Sequence, residues 1–151
     1  MEIKCRKAVG GVAEGEALVT GQRIYWNGGV DFRTGKISDP KHEHYGTSVR
    51  GKILVYPGSR GSLGNGACFM ATFREGNGPK GVILTRTHMH GHISHKTSFR
   101  HDPNSAIMVV ATGIPSVDEL LRNPLEFIET GDHVIVNADK GLVTVFKKNQ
   151  D

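Results

Sequence analysis

The sequence predicts one mixed α/β domain, sandwich-like or barrel-like, built around a βαβ unit. Three observations predict it. Two short apolar runs, Ile53-Leu54-Val55-Tyr56 and Val82-Ile83-Leu84, are each bounded by Gly or Pro, as buried strands are. Between them lie a Gly-rich loop, Gly58-Ser59-Arg60-Gly61-Ser62-Leu63-Gly64-Asn65-Gly66, and a helix-length stretch that stops at Gly76-Asn77-Gly78-Pro79. Near the C-terminus two alternating stretches, 133–137 and 142–146, face each other across Ala138-Asp139-Lys140-Gly141, which reads as a hairpin.

Strand, loop, helix and strand favour two parallel strands joined by a right-handed crossover. The helix is expected to bury Leu63, Ala67, Met70 and Ala71, which recur at helical spacing. Before this unit, residues 2–9 alternate charged and apolar side chains and read as one half-exposed strand, broken by Gly10-Gly11. Residues 13–20 read as a second strand with Ala17 and Val19 on one face, and 23–27 as a third, ending in Gly28-Gly29-Val30-Asp31. Residues 32–45 are polar and turn-rich and are expected to cross the surface. After the unit, residues 88–104 carry five of the eight histidines with little apolar content, as an exposed loop or flap does. Residues 106–111, Ala-Ile-Met-Val-Val-Ala, read as a further buried strand. Ser116, with Glu119 three residues on, reads as a capping box opening a short helix through Leu121.

At 151 residues the chain is expected to form a single domain, residues 1–151, with roughly two thirds of its unfolded surface buried. The net charge of +4 is spread along the chain with no Lys/Arg block, and aromatics are 7%, so a nucleic-acid role ranks last. A cationic cleft for a carboxylate or phosphate accounts for the charge as well. Cys5 and Cys68 form no CxxC pair and are expected to be buried thiols. No stretch reads as a signal peptide or transmembrane span, so a cytoplasmic protein is expected.

The Gly-rich loop follows the first βαβ strand, where ligands of open α/β sheets bind. It runs into a helix N-terminus, whose free N–H groups favour an anion. Gly58, Gly61, Gly64 and Gly66 let backbone approach a ligand closely, yet the pattern is neither a Walker A loop nor a GxGxxG fingerprint. Ser62 is either an N-cap or a functional hydroxyl. Arg60 and Arg86 are either anion-binding guanidinium groups or solvated surface cations, and Asn65 is a candidate donor to an anion. Gly28, Gly29 and Asp31 read as a turn. His88, His90 and His92 alternate and His95 follows, a set zinc uses elsewhere. No carboxylate follows until Asp102, so no metal site is expected in this chain and a solvated flap is favoured.

The stretches AEGEALVTGQRIYWNGGVD, TGKI, SVRGKILVYPGSRGS, GPKGVILTRT, ATGIP and TGDHVIVNADKGLVTV together resemble the small subunit of the aconitase X family, over residues 6–145. That resemblance implies the swivelling β/β/α domain of aconitase-type hydro-lyases, with mixed sheets and a central βαβ unit. It implies dehydration of a small hydroxy acid, as in phosphomevalonate dehydratase and cis-3-hydroxyproline dehydratase. The partner it implies is a large subunit that carries an iron or iron–sulfur centre and most of the substrate site. The small subunit closes that site and supplies a serine after the loop glycine, which maps onto Ser62 in Gly61-Ser62. Two stretches depart from the family pattern: Leu63-Gly64-Asn65-Gly66, where further small hydroxyl residues are usual, and residues 86–104, which are longer and richer in His. The rival from another class is a stand-alone anion-binding or regulatory module of the same fold.

Overall fold

The computed structural model describes residues 1–61, 64–85 and 103–148. Among these residues eight strands form one sheet: β1 (Glu2–Lys4), β2 (Arg6–Val9), β3 (Val12–Val19), β4 (Ile53–Tyr56), β5 (Gly81–Leu84), β6 (Ser116–Asp118), β7 (His133–Asn137) and β8 (Leu142–Phe146). Their order across the sheet is β1-β8-β7-β3-β4-β5-β6-β2. The outermost strands, β1 and β2, are separated in sequence by Cys5 alone, so the sheet must roll until its two edges meet. Leu121 N–H donates to Lys4 O (3.1 Å) and Cys5 N–H to Gly141 O (2.9 Å) at that corner. The expected single strand over 2–9 is therefore two, because the chain turns at Cys5 from one edge of the sheet to the other.

Strands β3 to β6 run parallel, and along the order β1, β8, β7, β3 each strand is antiparallel to its neighbour, as is β2 to β6. The βαβ unit is present as expected, with helix α2 (Gly64–Arg74) joining β4 to its parallel neighbour β5. Side chains of a strand alternate between faces, and here each face has its own core. Ala17, Ile53, Val55, Ile83 and Val117 point into the rolled sheet and meet Val134, Val136, Val143 and Val145 of the hairpin. Leu18, Leu54, Tyr56, Val82 and Leu84 point outward into a second core with Trp26, Phe69, Met108 and Val109. This double burial is why β4 and β5 read as unbroken apolar runs.

The second core is capped by the helical turn α1 (Trp26–Gly29), by α2 and by α3 (Pro103–Thr112). Three expectations are corrected here. Residues 23–27 are not a strand: Ile24 makes one isolated bridge to Ser59, and the chain then coils into α1. Residues 106–111 are not a strand but the body of α3. Ser105, Met108 and Val109 are buried while Ile107 and Val110 are exposed, which is helical spacing. A short apolar run does not distinguish a strand from a packed helix. The Ser116 capping box does not form: 116–118 are β6, buried throughout and paired with β5 and β2, and Glu119 follows at φ 47°. Tertiary pairing overrides the local capping signal.

Within α2 the inward residues are Asn65, Phe69 and Thr72, whereas Ala67 is exposed, so the buried face is rotated from the expected one. Phe69 decides it, because its ring packs edge-on to Trp26 at 4.6 Å between centroids. The helix ends as predicted: Gly76 takes φ 75° and donates its N–H to Phe73 O (3.0 Å). Residues 32–45 do cross the surface, but they bury Ile37 and His42 on the way. Cys5 and Cys68 are free thiols and only half-buried, not fully buried. The His-rich stretch, apart from its last residues at the start of α3, lies outside the described residues.

Candidate active site

The parallel strands β4 and β5 present their carboxyl ends at one edge. There Thr85 N–H donates to Tyr56 O (3.0 Å), and the Gly-rich loop leaves β4. The loop is pinned by four sets of contacts. Ile24 N–H donates to Gly58 O (3.2 Å) and Arg60 N–H to Ile24 O (2.9 Å), so the chain before α1 runs beside it like a short extra strand. Ser59 N–H, which is buried, donates to the Ser105 hydroxyl of α3 (2.9 Å). Arg23 Nη1 donates to Ser59 O (3.2 Å). Asn65, fully buried in the first turn of α2, ties the loop to α1: its Nδ2 donates to Arg60 O (2.8 Å) and its Oδ1 accepts from Asn27 N–H (3.0 Å).

Gly61 shows why the loop needs glycine. Its φ is 103°, and an added Cβ would stand 2.5 Å from Tyr25 Cε2. Both the left-handed backbone and the ring against it exclude any larger residue. The α1 turn reaches the same place by similar means. Asn27 takes non-helical backbone angles, Gly28 takes φ 91°, and Gly29 closes on Tyr25, where a Cβ would lie 3.2 Å from Tyr25 Cβ. Asp31 ends the stretch by accepting from the N–H of Arg33 (2.9 Å), so Gly28, Gly29 and Asp31 form a turn.

Of the residues singled out in the sequence, the structure brings Arg60, Gly61 and Asn65 together on this loop. Ser62 and Arg86 lie outside the described residues; Ser62 and Leu63 join Gly61 to Gly64, and Arg86 follows Thr85. Arg60 is well exposed, with Asp39 Oδ2 3.7 Å from its Nη2. An exposed pair at that distance is worth at most about 1 kcal/mol, so an anionic ligand competes readily for the guanidinium. Four residues that sequence reasoning passed over also border the loop: Arg23, Tyr25, Asn27 and Asp39. The signal for the first three was the RIYWNGGVD motif, which read as strand and turn; Asp39 lay in the turn-rich stretch 32–45 and gave none. Asn27 is exposed, and its Oδ1 accepts from the Cys68 thiol (3.6 Å). Among the described residues no three His, Cys, Asp or Glu side chains converge as a metal site, and no helix is long and apolar enough to cross a membrane.

A sequence model of the aconitase X swivel domain matches residues 2–145. The chain belongs to the aconitase X swivel-domain family. The rolled mixed sheet is that of the swivel domain as solved: the fold superposes on a chain in the crystal structure of Thermococcus kodakaraensis aconitase X (holo-form) with a TM-score of 0.81, 31% identity, and coverage of 97% of this chain and 99% of that one. The chain is 34% identical over 145 residues to the phosphomevalonate dehydratase small subunit of Methanothrix thermoacetophila, covering 96% of this chain and 95% of that protein. It is 34% identical over 147 residues to the protein of the same name from Archaeoglobus fulgidus, covering 97% and 100%. The swivel domain of this chain thus carries the family's resemblance from end to end, including the Gly-rich loop and the α1 turn beside it.

Proposed function

We propose that this chain is the small subunit of a dehydratase, a hydro-lyase that removes water from a small hydroxy acid and is active only with a larger partner subunit. The observation that carries the reading is the near-complete, end-to-end match to proteins named phosphomevalonate dehydratase small subunit. Phosphomevalonate is accordingly the first substrate to try, and cis-3-hydroxyproline the second.

In the proposed reaction Ser62, as its alkoxide, takes the proton from the carbon next to the carboxylate. The electron pair of that C–H bond forms the C=C bond, and the hydroxyl leaves from the neighbouring carbon. A serine is a weak base unless its anionic form is stabilised. The first turn of α2 and the cation of Arg60 supply positive potential beside it. Gly61 and Asn65 hold the loop rather than touch the chemistry, and Arg60 with Arg86 faces the substrate's anionic groups. The acid that assists the leaving hydroxyl belongs, on this reading, to the larger subunit, where an iron or iron–sulfur centre is the group expected.

The test is co-expression with the larger subunit and a dehydration assay on both substrates, comparing Ser62→Ala with wild type. A positioned base contributes about 10²–10⁴-fold, so kcat should fall by that factor with the complex intact. Turnover within a factor of a few of wild type would reduce Ser62 to a helix cap.

A further inference from the structure

Helices α2 and α3 lie side by side over the outward core of the sheet. Their composition is unusual for helices at a surface. The one charged residue in either is Arg74, at the last position of α2. A helix that faces water ordinarily carries its charges on that side. Here α3 turns Ile107 and Val110 outward, 56% and 67% exposed, with Ala111 exposed beside them and Ala67 exposed on α2. Isolated exposed apolar side chains are commonplace. Two adjacent helices without a charge between them until the far end form an uncharged apolar wall.

This wall borders the candidate site. Helix α2 issues from the Gly-rich loop, and the first turn of α3 is bonded to that loop through the Ser59 N–H and the Ser105 hydroxyl. Ile107 follows two residues after the serine that holds the loop, so the outer side of α3 begins close to it. Phe73, near the end of α2, is a further exposed apolar side chain on these helices, whereas Val12 and Phe146 stand among charges. Val12 stands on a strand that also exposes Glu14 and Glu16, and Phe146 is followed by Lys147 and Lys148.

We propose that the outer face of α3, centred on Ile107 and Val110, is the surface on which the larger subunit seats an apolar, uncharged patch of its own. The inference rests on the reading of this chain as a small subunit and adds to it the place of docking. Burial of two such side chains against a partner removes apolar area from water, which favours association.

The experiment is capture of this chain by the tagged larger subunit, comparing wild type, the pair Ile107→Glu with Val110→Glu, the milder Val110→Lys, and the control Val12→Lys. Each isolated variant should melt within about 2 °C of wild type, because exposed substitutions cost little. The pair should lose capture by about tenfold or more, with Val110→Lys intermediate and Val12→Lys unchanged. Wild-type capture by either α3 variant overturns the inference while leaving the small-subunit reading in place. So does a clear fall in Tm of both isolated variants, which would mean the face is covered from within the chain. So does loss of self-association with capture retained, which would assign the face to a second copy. Failure of wild type itself to be captured removes the small-subunit reading, and the docking surface with it.

Discussion

Two kinds of polar network are built into this fold, and they differ in what they leave open. Before β7, the Asp132 carboxylate is fully buried and enclosed by donors: Glu129 N–H at 2.8 Å, Lys147 Nζ at 3.0 Å and Lys148 N–H at 3.2 Å. Asp118 is likewise buried and gripped by two nitrogens of Arg6, at 2.8 and 2.7 Å. The network at the Gly-rich loop is built mainly from neutral groups, the Asn65 amide, the Ser105 hydroxyl and backbone; Arg23 adds one bond to Ser59 O, and Arg60, held through its backbone carbonyl, turns its guanidinium outward. A buried charge must be satisfied within the protein, so the carboxylate networks are closed and serve stability. Neutral clamps hold backbone without spending a charge, which leaves the cation beside the loop available to a ligand. The difference separates scaffold from site without reference to any relative.

The sharpest way to break the comparison is to open the closed network. Asp132→Ala leaves the N–H groups of Glu129 and Lys148 without their acceptor, and Lys147 without its nearest anion. Because Lys147 is partly solvated, the expected loss is at the lower end of that for a buried pair, about 3 kcal/mol in chemical denaturation. Turnover of the assembled complex should be unchanged at temperatures where the variant is folded. The same carboxylate sets an acid limb. Burial alone would raise its pKa, but the three donors together outweigh burial and hold it below the usual carboxylate value. A lowered pKa in the folded state stabilises above the unfolded carboxyl's pKa and stops doing so as pH falls through the folded value. Wild type should therefore lose stability on acidification below about pH 4, and Asp132→Asn should flatten that loss. An unchanged acid limb in the variant would show that the network is not what titrates.

The closed network and the open one were unequally visible in the sequence. Strands β4, β5, β7 and β8 could be read because the parallel pair is buried on both faces and the hairpin alternates cleanly around a turn of four residues. The loop at the end of β4 could be read because Gly61 stands where only glycine fits. The apolar run of α3 could not be assigned, since Ala-Ile-Met-Val-Val-Ala is unbroken, as in a strand buried on both faces, and only the exposure of Ile107 and Val110 reveals the helical period. The Ser116–Glu119 signal misled because a local cap competes with pairing to β5 and β2, and the two partners win. Asn65 looked like a donor to an anion. That its amide joins Asn27 to Arg60 depends on α1 meeting the loop in space, which no spacing along the chain encodes.

The next prediction perturbs that amide. Asn65→Ala removes the acceptor of Asn27 N–H and the donor to Arg60 O, for an expected loss of about 2 kcal/mol. Asn65→Asp keeps the acceptor and should recover part of it. Because the clamp holds the loop that leads into Ser62, kcat of the complex should fall further than the melting temperature explains, with Asn65→Asp between Ala and wild type. If kcat stays level while Tm drops, Asn65 braces the fold alone and the contrast between the networks weakens.

The smallest test probes how inert the closed end is. Cys5 sits at the corner between β1 and β2, half-buried, with the Asp118 carboxylate near. Burial first, and then that negative charge, push its thiol pKa up from 9.0 to about 11. The thiolate is the reactive form, and a rise of two units leaves about a hundredfold less of it at pH 8. Because the more basic thiolate is also the more nucleophilic, alkylation of the native protein by iodoacetamide, followed residue by residue by mass spectrometry, should proceed about tenfold more slowly at Cys5 than at a free cysteine. Replacing the neighbouring charge, as in Asp118→Asn, lowers the pKa and should speed the reaction only modestly, since burial is the larger cause. A rate at Cys5 equal to that of free cysteine in the folded protein would mean that the corner opens to solvent and that the charged network there is no more closed than the loop.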